Sequence, residues 1–407
     1  MAEMKGKSPF YPGQPIPPEL FTGREAQLKR IKVRGVDQVA AGKPVSMYVQ
    51  GEYGIGKSSI ANVTRAIAER ESGLHGIYVA LGRASSLTDV AAAILEGVLG
   101  SASESNSRVE TIRAWLRKYI KEAKLFGFTP NLDAVKKDAQ EIASARGILG
   151  LLTETVKRLT PDGVKGIVLI LDEINGISVS PPFAHLIKDL VDTNASSHVP
   201  LPLLLMMCGT EQRRNDMIHN HPPVGRILEV VSVEPMEKSD TRNFFRRSFR
   251  SVGVTVEEVA LDNWVYYSGG LPKIMHEIGN AAYYINDGDR INLTVAMEAV
   301  AQAADEVGRK YVEPEVVKGL RSRAYHSILE KLASLNEDHF TRDQLAAELT
   351  DVEVKKLDNF LQRMKQLHVI RSGDAQGEYS FNITLYQVYL TMKSYKPPAD
   401  LDGPRHG

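Results

Sequence analysis

Between residues 45 and 58 the chain reads VSMYVQGEYGIGKS, a β-branched apolar run that passes directly into Gly51, four further residues, and then Gly56, Lys57 and Ser58. Such a loop is built to hold phosphates. Its glycines reach backbone conformations closed to other residues, so successive N–H groups can turn inward while the helix that follows points its positive end at the same place. Candidate contacts are the loop residues Gly51, Tyr53, Gly54, Ile55 and Gly56 and the helix opening of Lys57, Ser58 and Ser59. Lys57 is placed to reach β/γ-phosphate oxygens, and the Ser58 hydroxyl to ligate a magnesium ion. The context fits, because SSIANVTRAIAER after the loop has the spacing of an amphipathic helix.

A second chemical pair lies far along the chain. Leu169, Ile170 and Leu171 lead into Asp172 and Glu173, two carboxylates at the C-terminal mouth of a buried strand, where open α/β sheets gather ligands. Asp172 would hold magnesium through water, and Glu173 would polarise an attacking water, since γ-phosphate hydrolysis needs positioning and charge neutralisation more than covalent chemistry. Thr210 ends the run LPLLLMMCGT, at the same edge as Asp172 if the two strands are neighbours; a Thr after a Gly is equally plain turn chemistry. Arg226 precedes the last apolar run, on an exposed corner from which an arginine can be offered to a neighbouring subunit's γ-phosphate. Pro272 and Lys273 open a helix after Gly269-Gly270-Leu271, and Lys273 could sense a γ-phosphate from there.

The elements that must position these groups follow from the hydropathy pattern. Short apolar runs at 45–50, 76–81, 166–173, 201–210 and 226–235, separated by helical stretches, describe a five-stranded parallel sheet covered on both faces, the three-layer P-loop architecture. Residues 1–20 are rich in Pro and Gly and read as an extended arm. The core then spans 21–235, with Thr22 or Gly23 capping its first helix and a polar helical insertion at about 101–147. Residues 236–318 read as helices only, a lid. Residues 319–395 read as three helices, the second opened by Thr341, and then a β-hairpin, which makes a winged helix; 396–407 form a loose tail.

Bulk composition excludes little. The 407 residues are 43% apolar and 25% charged, with 50 basic against 50 acidic side chains, so no global field draws the protein to nucleic acid or an anionic membrane. Cys208 is the only cysteine, which rules out an internal disulfide and fits the cytoplasm. No window approaches the roughly 20 apolar residues of a membrane span, and the N-terminus lacks an apolar signal core.

Taken in order, FTGRE at 21–25, GEYGIGKS at 51–58, LILDE at 169–173, CGT at 208–210, GR at 225–226, GGLP at 269–272 and the C-terminal winged helix resemble the AAA+ ATPases. The resemblance covers about residues 15–390 and is to the branch of initiator (origin-recognition-like), transposition-regulator and STAND ATPases. It implies ATP and Mg²⁺ as cofactors, ATP hydrolysis, and assembly into a homo-oligomer with ATP. It also implies that Phe21 to Arg24 flank the adenine, that Thr210 is sensor 1, Arg226 the arginine finger and Lys273 the sensor 2 position. Two departures leave the choice within the branch open: Pro272-Lys273 stands where initiators have an arginine, and Thr210 where Asn is common.

Two partners for the winged helix stay open. The long helix VEVKKLDNFLQRMKQLH puts Leu357, Phe360, Leu361, Met364 and Leu367 on one face and leaves Lys355, Lys356, Gln362, Arg363 and Lys365 outward, as for entry into a major groove. Yet residues 319–395 balance ten Lys and Arg against ten Asp and Glu, which suits a protein contact better than a dedicated DNA reader. One expectation is therefore a switch that acts on duplex DNA, and the other a signalling or defence ATPase whose winged helix binds a protein effector.

Overall fold

In the computed structural model, the residues described are 6–14, 16, 21, 23–101, 140, 142–317, 320, 322–335, 337, 339–373 and 375–393. Most of the expected insertion and the whole of the expected tail lie outside them. The chain divides into two compact units, Pro15–Glu234 and a second made of Met1–Gln14 with Pro235–Gly407.

The first unit is built on five parallel strands: β1 (Val45–Gln50), β2 (Leu74–Ala80), β3 (Gly166–Asp172), β4 (Leu203–Gly209) and β5 (Glu229–Ser232). Their order is β2-β3-β4-β1-β5. Every residue of β3 and β4 is buried, as expected of runs without polar alternation that are covered on both faces. Ile77, Val79, Leu169, Leu171, Leu205 and Met207 share one apolar cluster with α3 (Leu87–Ser101), α4 (Ala145–Leu159) and α5 (Pro181–Ala195). On the other face Met47 and Leu204 press against Gly35, where a Cβ would stand 2.9 Å from the Met47 sulfur. Gly35 lies in a π-helical turn, Lys32–Val36, that continues α1 (Glu25–Ile31). The residue before α1 is Arg24, in the left-handed region. The helix after the phosphate loop is α2 (Lys57–Glu71); α6 (Glu211–Asn220) and the short α7 (Val224–Ile227) join β4 to β5. The last strand is four residues rather than the ten of its apolar run, because Arg226 and Ile227 are taken into α7.

The second unit is not helical alone up to residue 318. It begins with α8 (Lys238–Arg250), α9 (Glu258–Ser268), α10 (Pro272–Ile285) and α11 (Leu293–Val307), but β6 (Thr255–Val256) and β7 (Arg290–Ile291) pair in parallel beside them. Two residues are too few to show a period in sequence. Next come α12 (Arg323–Ser334), β8 (His339–Thr341), α13 (Arg342–Ala347), α14 (Asp351–Gln366), β9 (Ile370–Ser372) and β10 (Glu378–Phe381). The expected three helices and hairpin are present, with β8 as a third strand beside the hairpin, in the order β8-β10-β9. A further helix, α15 (Thr384–Lys393), follows the hairpin. A single buried cluster runs from Phe244 on α8 through Val307 and Leu357 to Leu390 on α15.

The N-terminal arm has a seat in this second unit. Phe10 is 4% exposed. Its ring packs among Phe244, Phe249 and His276, with centroids 4.9 to 6.1 Å away, and the Tyr11 amide donates to His276 Nδ1 at 3.1 Å.

Candidate functional site

The phosphate loop leaves β1 between β4 and β5. Gly51 N–H donates to Gly209 O, and a Cβ at position 51 would meet the Val233 carbonyl at 2.6 Å, so the strand end is clamped from both neighbours. Gly54 and Gly56 have φ of 78° and 98°, and Gly56 is the N-cap of α2. A side chain at either position would strain the turn that lifts the loop over the helix end. Lys57 Nζ donates to the carbonyls of Gly51 (2.8 Å) and Glu52 (2.7 Å), and burial lowers the affinity of this amine for its proton. Ser59 is buried and its hydroxyl accepts the Ile16 amide, whereas Tyr53 projects outward, 68% exposed.

Arg24 does not reach outward. Its guanidinium donates to the Glu234 and Ile55 carbonyls, tying the start of the unit to the loop and to its last residue. Phe21 is half-buried.

Asp172 ends β3 with 2% exposure. Its Oδ1 accepts the Glu173 amide at 2.8 Å and its Oδ2 accepts the Tyr78 hydroxyl at 2.5 Å. Glu173 has φ 56°, a left-handed conformation that costs a non-glycine residue about 1 kcal/mol or more and that turns its carboxylate off the strand direction. That carboxylate lies over Gly82, where a Cβ would stand 2.5 Å from Glu173 Oε2. Burial first, and then the Asp172 charge, push the Tyr78 phenol far above its usual range, so it stays a donor. The phosphate loop leaves β1 and Asp172 ends β3 at the same C-terminal edge of the parallel sheet, with β4 between them.

Thr210 does stand at the edge of Asp172, because β3 and β4 are neighbours with Leu171 opposite Met207. Its hydroxyl is the N-cap of α6 and accepts the Arg213 amide at 3.3 Å; its carbonyl accepts the hydroxyl of fully buried Tyr48 at 3.0 Å. Arg226, on α7, is exposed, with no side-chain hydrogen bond or ion pair among the described residues. Pro272 and Lys273 belong to the second unit, at the start of α10, where Lys273 Nζ sits 3.2 Å from the centre of the Tyr311 ring. The structure therefore brings together the loop, Asp172, Glu173, Thr210 and Arg24 within one unit.

Residues 20–206 match the family described as the AAA ATPase domain. This segment is an AAA ATPase domain. The match supports nucleotide binding and ATP hydrolysis by this segment. A Walker-type ATPase of Pyrococcus abyssi has the same fold, at 18% identity over 91% of this chain and 96% of that one, with a TM-score of 0.57. The Aeropyrum pernix ORC2 protein in its ADPNP–ADP complexes also shares it, at 13% identity over 95% of this chain and 94% of that one, again with a TM-score of 0.57. Among curated proteins, Ribonuclease Y of Lactobacillus gasseri is 26% identical over 153 residues, 38% of this chain; the chain spans only 26% of that protein's length.

A magnesium ion fits the residues present. A serine hydroxyl and a buried carboxylate are hard oxygen donors, and among the described residues no group of three His, Cys, Asp or Glu side chains could hold a metal unaided. That is the donor set of a cation completed by substrate phosphates and water. The tyrosines at 48 and 78 and the glycine at 82 were not found from sequence. A polar-tipped aromatic in a strand buried on both faces was the available signal, since its hydroxyl must find a partner.

Proposed function

We propose that the AAA ATPase domain serves an assembly switch acting on duplex DNA, in which ATP lies between the phosphate loop of one subunit and Arg226 of the next. The observation that supports this reading is that the loop follows β1 and the acid pair ends β3 at one C-terminal sheet edge, with only β4 between them. The loop amides from Gly51 to Gly56 and the α2 N-terminus would cradle the phosphates, and Lys57 would exchange the Gly51 and Glu52 carbonyls for β/γ oxygens. Magnesium, held by Ser58 and through water by Asp172, would supply charge neutralisation on those oxygens. Glu173 would turn a water toward the γ-phosphorus and Thr210 would touch that water or the γ-phosphate. Exposed Arg226 would be supplied to a neighbour, and Lys273, at the start of α10, would be the sensor 2 residue.

The DNA side of the proposal rests on α14, whose exposed face presents Lys355, Lys356, Asn359, Gln362 and Arg363, while Asp358 on that face is paired to Arg342 at 2.8 Å. A second reading, that this region grips a protein effector as in STAND-like signalling or defence ATPases, is favoured by its balanced charge. Filter retention of duplex DNA at rising salt, with ATP and with ADP, separates them. ATP-dependent, salt-sensitive retention supports the first, and its absence, with a separate protein co-purifying, supports the second. For the nucleotide site itself, Lys57→Ala should abolish ATP binding in calorimetry; unchanged affinity rejects the phosphate-loop assignment.

A further inference from the structure

Tyr48 lies within β1, ahead of the phosphate loop, with Met207 of β4 and Val230 of β5 opposite it. Side chains two residues apart share one face of a sheet, so Gly209 follows Met207 on the face that Tyr48 occupies. The ring runs past that glycine, where a Cβ would stand 2.3 Å from the phenolic oxygen. The bare position leaves the phenol a path to the end of the strand, and there it donates to the Thr210 carbonyl at 3.0 Å.

That carbonyl accepts twice, because the Arg214 amide also donates to it, at 3.2 Å, as α6 begins. Its two lone pairs are thereby filled. One residue earlier, the Gly209 carbonyl accepts the Gly51 amide at 3.3 Å. Both peptide planes flanking Thr210 are therefore anchored to β1 and its loop, one by Gly51 and the other by Tyr48. The Thr210 hydroxyl accepts the Arg213 amide, which leaves its own proton to donate.

We propose that Tyr48 is a positioning residue for ATP hydrolysis: through the Thr210 carbonyl it fixes the Thr210 hydroxyl relative to the phosphate loop, so that this hydroxyl is already aimed when nucleotide enters. Placement in advance spares the reaction the ordering of that group in the transition state. Tyr48 is wholly buried, in an apolar cluster with Ile174, Met207 and Met217, and has no surface to offer a nucleotide. It acts through Thr210 alone. The inference rests on the reading of Thr210 as the residue that meets the γ-phosphate or its attacking water.

The test is steady-state ATP turnover together with ATP affinity by calorimetry, for the wild type, Tyr48→Phe, Thr210→Ala and the double variant. Tyr48→Phe should lower kcat about tenfold and leave ATP affinity within about twofold, since the lost interaction serves the transition state. In the Thr210→Ala background the same substitution should cost less than about twofold, because aiming a hydroxyl has no value once that hydroxyl is gone. Gly209→Ala keeps the phenol but puts a methyl in its path. It should slow turnover by a similar factor, again at unchanged affinity, and it decides the matter if Tyr48→Phe does not fold. Wild-type kcat in either variant overturns the proposal, as does a tenfold loss that persists in the Thr210→Ala background or one matched by an equal loss of affinity. A slow Thr210→Ala beside a fast Tyr48→Phe sinks the role of Tyr48 alone, whereas wild-type turnover in Thr210→Ala overturns the reading of Thr210 and the role of Tyr48 with it.

Discussion

Glu173 is held in a left-handed backbone and over a glycine, and both features dictate where its carboxylate can go. Two substitutions separate its chemistry from its placement. Glu173→Gln should leave ATP affinity within about twofold and slow phosphate release by at least about a hundredfold, because only an interaction made in the transition state is lost. Gly82→Ala leaves the carboxylate in the molecule but puts a methyl where Oε2 now lies, so turnover should fall about tenfold with binding unchanged. Phosphate release at the wild-type rate in the first variant removes Glu173 as the water-orienting group, and the same result in the second means the carboxylate moves freely before reaction. At this scale the acid pair was legible because Leu169 to Leu171 run into it without interruption. Gly82, Tyr48 and Tyr78 were not, since their importance depends on which strands are neighbours, and sequence adjacency does not encode the order β2-β3-β4-β1-β5. Arg24 shows the converse: a charged residue in a familiar motif turns out to spend its guanidinium on two backbone carbonyls.

Among elements, α10 carries a titratable group in an apolar setting. His276 is 4% exposed, its Nδ1 accepts the Tyr11 amide, and its Nε2 is buried without a partner among the described residues. Burial lowers its pKa to about 4. The folded state thus favours the neutral ring, whereas an unfolded chain takes up a proton as soon as pH falls below about 6.5. The stabilisation is complete above pH 6.5 and is lost progressively between 6.5 and 4, by as much as about 3 kcal/mol. Urea unfolding followed by tryptophan fluorescence should show that decline, and His276→Asn, which keeps an acceptor but does not titrate, should flatten it. A slope that persists in the variant assigns the pH dependence elsewhere. Elements long enough to show a period were legible: β1, β3 and β4 as unbroken apolar runs, and α14 from its Leu357, Phe360, Leu361 and Met364 face. The capping box of Thr341 and Gln344 likewise announces α13. The two-residue strands β6 and β7 were not legible, and TLYQVYLTMK, now α15, is rich enough in β-branched and aromatic residues to hide a helix.

For the whole molecule, the open question is assembly, and the exposed, unpaired Arg226 makes it testable. Arg226→Ala should lower ATPase activity, and mixing it with Lys57→Ala should restore part of it, since each variant supplies what the other lacks. No recovery in a preparation shown by light scattering to be oligomeric rules out a finger that acts between subunits. The seat of Phe10 bears on how this protein can be dissected. Residues 6–14 fill a socket lined by Phe244, Phe249 and His276, and Gly279 is kept bare for them, a Cβ there standing 2.2 Å from the Phe10 ring. A fragment cut to begin at residue 235 would therefore expose a greasy hole and clump, and a synthetic nonapeptide of sequence GKSPFYPGQ, added in trans, should plug it and keep the fragment in solution.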